Sequence, residues 1–362
     1  MTLEEAFEIQ NRLAVLEFPI VFSVSVFFAL FKTYGIPSIS KLLVQTGQLA
    51  DEATASKRAA DTGVVLTEVI LHHPSSPRAI DGIARMNYLH STYRKAGKIS
   101  DADMLYTLSL FALEPIRWTD QYEWRKVNEV ERCAMGTYWR YMADAMEIPL
   151  TLLHSHKSGW TDGLHFLDEL EEWSIAYEAG AMVPAKSNYT VARGTVEVGL
   201  FNVPRRLRPM CMPFVSALLS PHLRKAMMFP DPPQWTTATL DVLVCIRKVV
   251  LRYLCLPRPY FLRERWWSER ASATGRYHAK QFISLPWYVK PTLWARWSPK
   301  AWLLRLVRSK VPGDDGGKYH PEGYIISELG PESHKGKGLA EMKATQVRLK
   351  DNKTVGCPFA RW

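Results

Sequence analysis

Apolar residues recur at intervals of three and four through the first two-thirds of the chain, and the interruptions are Pro, Gly and capping residues. That pattern admits a helical fold and little else. Residues 3–16 and 18–31 read as two helices before a turn at Tyr34-Gly35-Ile36-Pro37. Residues 53–71 carry Ala60, Val64, Val65 and Val69 at helical spacing and stop at His72-His73-Pro74. Pro77–Lys95 forms the next helix, closed by Gly97. Ser100 with Asp103 reads as a capping box opening a helix over 104–113, which Pro115 is expected to kink or end. Asn128 with Glu131 repeats the device before a helix through Met146, and Gly163–Ala181 is amphipathic. Residues 239–256 are a further helix candidate. The alternation that marks a strand is confined to the short run 189–198, and after Pro312 the chain turns glycine-rich and reads as irregular. The expected fold class is all-α. One large helical domain fills residues 1–312, and 313–362 form an irregular segment packed on it.

The second constraint is charge. The chain of 362 residues carries +10 and thirteen Trp, on a composition of 47% apolar and 23% charged residues that suits a folded core and excludes disorder as the main state. Residues 200–310 hold 20 Lys/Arg against 4 Asp/Glu, a balance of +16 that leaves −6 for the rest. Trp266, Trp267, Trp287, Trp294, Trp297 and Trp302 crowd into the same stretch. Trp interleaved with Arg, Leu and Val is the composition of segments at a bilayer interface, so residues 260–310 are read as membrane-facing. Nucleic acid is not expected as a partner, because no recognition motif, zinc spacing or repeat accompanies the charge. The run 18–31 is apolar but shorter than the roughly 20 residues that span a bilayer. It is expected to be a buried or interfacial helix, with a membrane-embedded hairpin as the other option. Five Cys without a CxxC pair fit reduced thiols, and the acidic start MTLEEAFEIQ is unlike a secretory signal.

Standard nucleophile, zincin and phosphate-loop signatures are missing. What stands out is polar residues on core-forming helices. On Pro77–Lys95, Asn87, His90 and Arg94 fall at intervals of three and four, on one face. An imidazole flanked by an amide and a guanidinium could ligate a metal, and a porphyrin asks for an axial imidazole with a cation near a propionate. The same residues also fit a core histidine and a surface charge. In Lys57-Arg58-Ala59-Ala60-Asp61-Thr62, Arg58 and Thr62 share a face with Asp61 beside them, and surface charge is the competing reading. Glu114-Pro115-Ile116-Arg117-Trp118 with Glu123-Trp124-Arg125 suggests a buried ion-pair scaffold. His154 and His156 are expected at the surface, and His165, beside an amphipathic helix start, in packing. A nonhaem iron site from His72, His90 and Glu68 remains open.

The stretch from Arg85 to Tyr106 (RMNYLHSTYRKAGKISDADMLY) resembles the fungal ER-bound oxygenases typified by MpaB. So do FALEPIRW at 111–118, Glu123-Trp124-Arg125, KTYGIPSIS at 32–40, Pro321-Glu322-Gly323-Tyr324 and Leu329-Gly330-Pro331. These motifs span residues 30 to 335. The family belongs with the latex-clearing rubber oxygenases, mostly helical b-type haem proteins that cleave polyisoprene double bonds with O2. The resemblance implies a catalytic core over about 30–260 built around a buried cofactor pocket, with haem b and its iron as cofactor and O2 as co-substrate. It implies His90 as the axial iron ligand, with Arg94 one turn later. Asn87 stands where those enzymes place an Arg, as a candidate propionate contact. On the distal side their Arg-x-x-Lys-Thr string is similar to Arg58-Ala59-Ala60-Asp61-Thr62. Asp61 there replaces a Lys that can occupy the sixth iron position. The implied substrate is an apolar isoprenoid chain in secondary metabolism, held by side chains such as Leu105, Leu108 and Phe111. The implied location is the cytosolic face of the endoplasmic reticulum membrane, peripheral or monotopic. Two other readings stay open: a nonhaem-iron oxygenase in the same pocket, and a noncatalytic membrane-surface protein that binds lipid or scaffolds a complex.

Overall fold

A computed structural model describes residues 1–47, 52–282, 284–307, 309–351 and 357–359. Its helices follow the capping residues. Thr2 and Glu5 close a capping box on α1 (Leu3–Arg12), a π-helical turn over Leu13–Glu17 carries the chain around, and Pro19 opens α2 (Pro19–Thr33). The chain bends by 111° between the two arms, with Arg125 gripping Glu17 at 2.6 Å and lying over the Phe18 ring to hold the corner. Then come α3 (Pro37–Gln45), α4 (Glu52–Ile70), α5 (Pro77–Lys95), α6 (Asp101–Tyr122) and α7 (Glu129–Ala145). After these follow α8 (Gly163–Ala181), α9 (Lys186–Gly199), α10 (Arg208–Leu218), α11 (Pro221–Ala226) and α12 (Gln234–Tyr253). Short α13 (Leu293–Trp297) and α14 (Pro299–Leu306) precede α15 (Leu339–Asp351). Among the described residues there is no β-strand, only isolated bridges such as Tyr277 with Tyr324. The all-α fold is as the periodicity required.

Helix α6 is the axis. It is buried at nearly every position from Met104 to Ile116 and packs against α2, α7 and α8. A carboxylate at Glu114 in that setting needs cations. Lys32 at 3.1 Å and Arg117 at 2.9 Å supply them, and Lys32 also reaches Glu178 at 2.8 Å. The expected buried ion-pair scaffold is therefore present. The helix runs unbroken through Pro115, contrary to expectation. A proline inside a helix costs about 3 kcal/mol, and the burial of both flanks of α6 offsets it. Close approach of α7 to α8 requires glycine, since a Cβ at Gly136 would run into the Gly163 carbonyl.

Two further expectations are corrected. The alternating run 189–198 is helix α9, whose Val191, Ala192 and Val196 face the core. The tail is not wholly irregular either, because residues 339–351 form α15 against α5. Among the described residues the stretches between α12 and α13 and between α14 and α15 hold no α-helix, yet both are pinned to α4 and α5 by polar groups. Trp267 Nε1 donates to Thr67 at 2.6 Å and Trp287 Nε1 to Ser56 at 2.8 Å. Arg85, with no exposed surface, donates to the Leu329, His334 and Lys337 carbonyls. Val64, Val65, Leu285, Trp287, Tyr288, Val289 and Tyr324 form a second apolar cluster that joins α4 to both stretches.

Candidate functional site

The site sits where the C-terminal end of α2 meets α4, α5 and α9. His90 projects from α5, and its Nδ1 is buried without a hydrogen-bond partner. Burial, reinforced by the positive charges of Arg58 and Arg94, lowers its pKa to about 4. The ring is therefore neutral at physiological pH and keeps a lone pair free for a metal. Arg58 on α4 also acts on Tyr34, the C-cap residue of α2, whose phenol bonds Thr195 of α9 and is held above its usual pKa by burial. Arg58 thus lies within electrostatic range of both His90 and Tyr34, and Tyr34 bonds Thr195. Sequence reasoning found His90 and Arg58. It treated Tyr34 only as a turn residue and passed over Thr195. The position of Tyr34 inside the string 32–40 was the available signal.

The remaining sequence candidates are placed differently. Asn87 Nδ2 donates to the Ala145 carbonyl at 2.9 Å, and Arg94 donates to the Glu147 carbonyl at 3.0 Å and to Asp101 at 3.3 Å. Both therefore close the C-terminal end of α7, whose last carbonyls lack helical partners, while Arg94 still contributes charge at His90. Asp61 is buried with both oxygens engaged: Tyr288 donates to one at 2.5 Å, Lys57 to the other at 2.9 Å, and the Gly330 N–H joins at 3.3 Å. Burial raises its pKa despite the Lys57 charge opposing it. This carboxylate pins α4 to the C-terminal segment, so the structure gives it a packing role in place of a free base. Thr62 lies half-buried one turn after Arg58. Leu105, Leu108 and Phe111 are buried in the main core, with Phe111 stacked on Trp139.

The nonhaem iron option is corrected. Glu68 is fully buried and consumed by Arg78, by the Tyr324 hydroxyl and by His72. Among the described residues no group of three or more His, Cys, Asp or Glu could hold a metal ion. A porphyrin asks the protein for one imidazole and cationic neighbours, and His90 with Arg58 and Arg94 fits that request.

A neutral His90 makes cofactor-free stability depend on pH. The unfolded chain takes up a proton near pH 6.5 that the folded chain refuses until about pH 4. Stability is therefore full above about 6.5 and falls as pH drops through that window, by about 3 kcal/mol. Urea unfolding of the cofactor-free protein at pH 7 and pH 4.5 measures this, and His90→Ala should remove the His90 share of the difference.

No protein-family model matches the chain. It is 44% identical over 359 residues to the ER-bound oxygenase mpaB' of Penicillium brevicompactum, covering 99% of this chain and 85% of that protein. It is 41% identical over 323 residues to the ER-bound oxygenase mpaB of the same species, covering 89% and 76%. A third relative, the ER-bound oxygenase mpaB of Penicillium roqueforti, is 44% identical over 231 residues, covering 64% and 78%.

Proposed function

Because the chain belongs to the MpaB family of ER-bound oxygenases, we propose that this oxygenase is haem-dependent and cleaves a C=C bond of an isoprenoid side chain with O2. The observation that carries the cofactor is the buried, neutral, unpartnered imidazole of His90 beside Arg58. In the reaction the C=C and O–O bonds break and two C=O bonds form, so atoms and electrons balance without an external reductant. The pathway is a fungal secondary-metabolite route, in which a prenyl chain is shortened. The alternative of a noncatalytic scaffold finds no support in a relative set named as oxygenases.

Haem b, when bound, supplies an iron that activates O2. His90 would hold that iron, and its low pKa keeps protons from competing for the ring. Arg58 and Arg94 place positive charge near the ring, where they would offset the propionate carboxylates of the bound group. Thr62, one turn from Arg58, offers a hydroxyl donor, and Asn87 has a second amide hydrogen beyond the one given to Ala145. Asp61 is a positioning residue, since its ion pair with Lys57 and bond to Tyr288 fix the register of α4 that aims Arg58.

The chain acts at the endoplasmic reticulum. We infer attachment to the cytosolic face through the basic, Trp-rich part. Trp294, Trp297 and Trp302 are exposed there, whereas Trp287 is buried and is withdrawn from the docking set. No single helix among the described residues is long and apolar enough to cross a membrane, although α1 and α2 pass that test as a bent pair.

The test is turnover of a prenylated aromatic under ¹⁸O2 by the purified protein, with haem and iron counted per chain. Two labelled carbonyl fragments and one haem per chain are expected. Turnover by colourless protein, or no turnover by protein holding one haem per chain, would overturn the reading.

A further inference from the structure

Helix α12 is 20 residues long and buries only Thr236. At about 100° per residue, Trp235, Val242, Ile246, Val249 and Tyr253 fall within roughly 60° of one another, and Leu243 and Val250 widen the stripe. All seven are exposed, Trp235 at 58%, Val242 at 57% and Tyr253 at 71%. Such a stripe normally faces a core. Here polar contacts tether the helix instead. Arg247 donates to the Tyr122 carbonyl and to buried Glu123, both at 2.8 Å, fixing α12 to the end of α6 and leaving its apolar side open.

The pattern continues beyond the helix. Leu254, Leu256, Tyr260, Phe261 and Leu262 are exposed, as are Trp294, Trp297 and Trp302. Guanidinium groups lie over the aromatic rings at these places: Arg252 on Tyr253, Arg263 on Tyr260, and Arg305 on Trp297 and Trp302. Residues 234–306 hold 13 Lys/Arg against 3 Asp/Glu. A second copy of this chain is a poor occupant, since a two-fold contact would set the same basic surface against itself. An anionic lipid surface satisfies both features, taking the apolar stripe among acyl chains and the cations among headgroups.

We propose that α12 lies in the plane of an anionic phospholipid leaflet with its Trp235–Tyr253 stripe immersed, and that it is the principal docking element of the chain. This rests on the membrane attachment inferred above and assigns it to a helix outside residues 260–310. The exposed face of α2, with Ile20, Val24 and Phe27, is the competing element.

The experiment is flotation of the full chain with vesicles of phosphatidylcholine, and of phosphatidylcholine with about 30% phosphatidylserine. Wild type should float with the anionic vesicles and much less with the neutral ones. Val242→Glu/Ile246→Glu/Val249→Glu should reduce flotation by about tenfold or more, and Ile20→Glu/Val24→Glu should leave it nearly intact. Circular dichroism checks the fold, and the milder Trp235→Ser/Tyr253→Ser pair replaces any variant that fails it. Wild type that floats equally well with the α12 changes overturns the assignment to α12 and leaves membrane attachment standing. Wild type that floats with neither vesicle overturns the attachment itself. A concentration-dependent dimer abolished by the α12 changes, in a chain that ignores vesicles, would make the stripe a self-association face.

Discussion

Replacing Glu68 by alanine should lower folding stability by about 3–5 kcal/mol. Glu68 has no exposed surface and stands at the junction of three elements. Arg78 Nε donates to it at 2.7 Å and Arg78 Nη2 to its other oxygen, which also accepts from the Tyr324 hydroxyl, and His72 lies 3.2 Å away. Bringing a carboxylate into an apolar interior is costly, and this one is tolerated because both of its oxygens accept from donors. Its removal strands the Arg78 guanidinium, which is itself mostly buried and lies 4.0 Å over the Tyr277 ring. The same change unhooks Tyr324 from α4, so the segment between α14 and α15 should loosen first. Urea unfolding gives the stability, and limited proteolysis gives the order of loss. Early cleavage in residues 313–338 is expected, and a shift under about 1 kcal/mol would show that the network is not what holds this segment.

The second large effect is chemical and nearly free of a stability cost. If His90 is the ligand of a haem as proposed, His90→Ala should cut turnover by roughly two orders of magnitude or more, because the iron would lose its protein ligand. The fold should change by no more than about 1 kcal/mol, since Nδ1 of His90 makes no hydrogen bond that the change would break. Added imidazole should restore part of the rate by filling the vacated space. Loss of turnover that tracks unfolding, or full activity without the ring, would contradict the assignment. The Glu68 and His90 changes therefore separate along two axes, stability for one and chemistry for the other.

Much of this architecture was legible in the residues. Helices α5 and α8 begin and end where Pro77, Gly97 and the Gly163–Ala181 periodicity put them, because amphipathic spacing and caps are local signals. Pro115 misled for the opposite reason: the burial that carries α6 through it comes from α2, α7 and α8, far away in sequence. Residues 189–198 alternate like a strand over too few positions to decide, and the polar stretch 339–351 has too weak an apolar face to announce α15.

The site divides in the same way. The spacing of His90 and Arg94 lies on one helix and is visible in the string. That Arg58 reaches both His90 and Tyr34 is a tertiary fact joining α2, α4 and α5. Asp61 shows the limit most clearly. Its neighbours Arg58 and Thr62 suggested chemistry, but its partner Tyr288 lies 227 residues away. The same holds for Trp287, which belongs by composition to the exposed basic block and by structure to the second apolar cluster, donating to Ser56.

The account turns on His90 as the ligand of a haem. The most direct measurement is the absorption spectrum of the purified full chain, expressed with haem precursor, beside that of His90→Ala. The account predicts a Soret band at about one haem per chain, lost in the variant while its helical circular dichroism is kept. A colourless wild type, or a Soret band unchanged by the substitution, would contradict it.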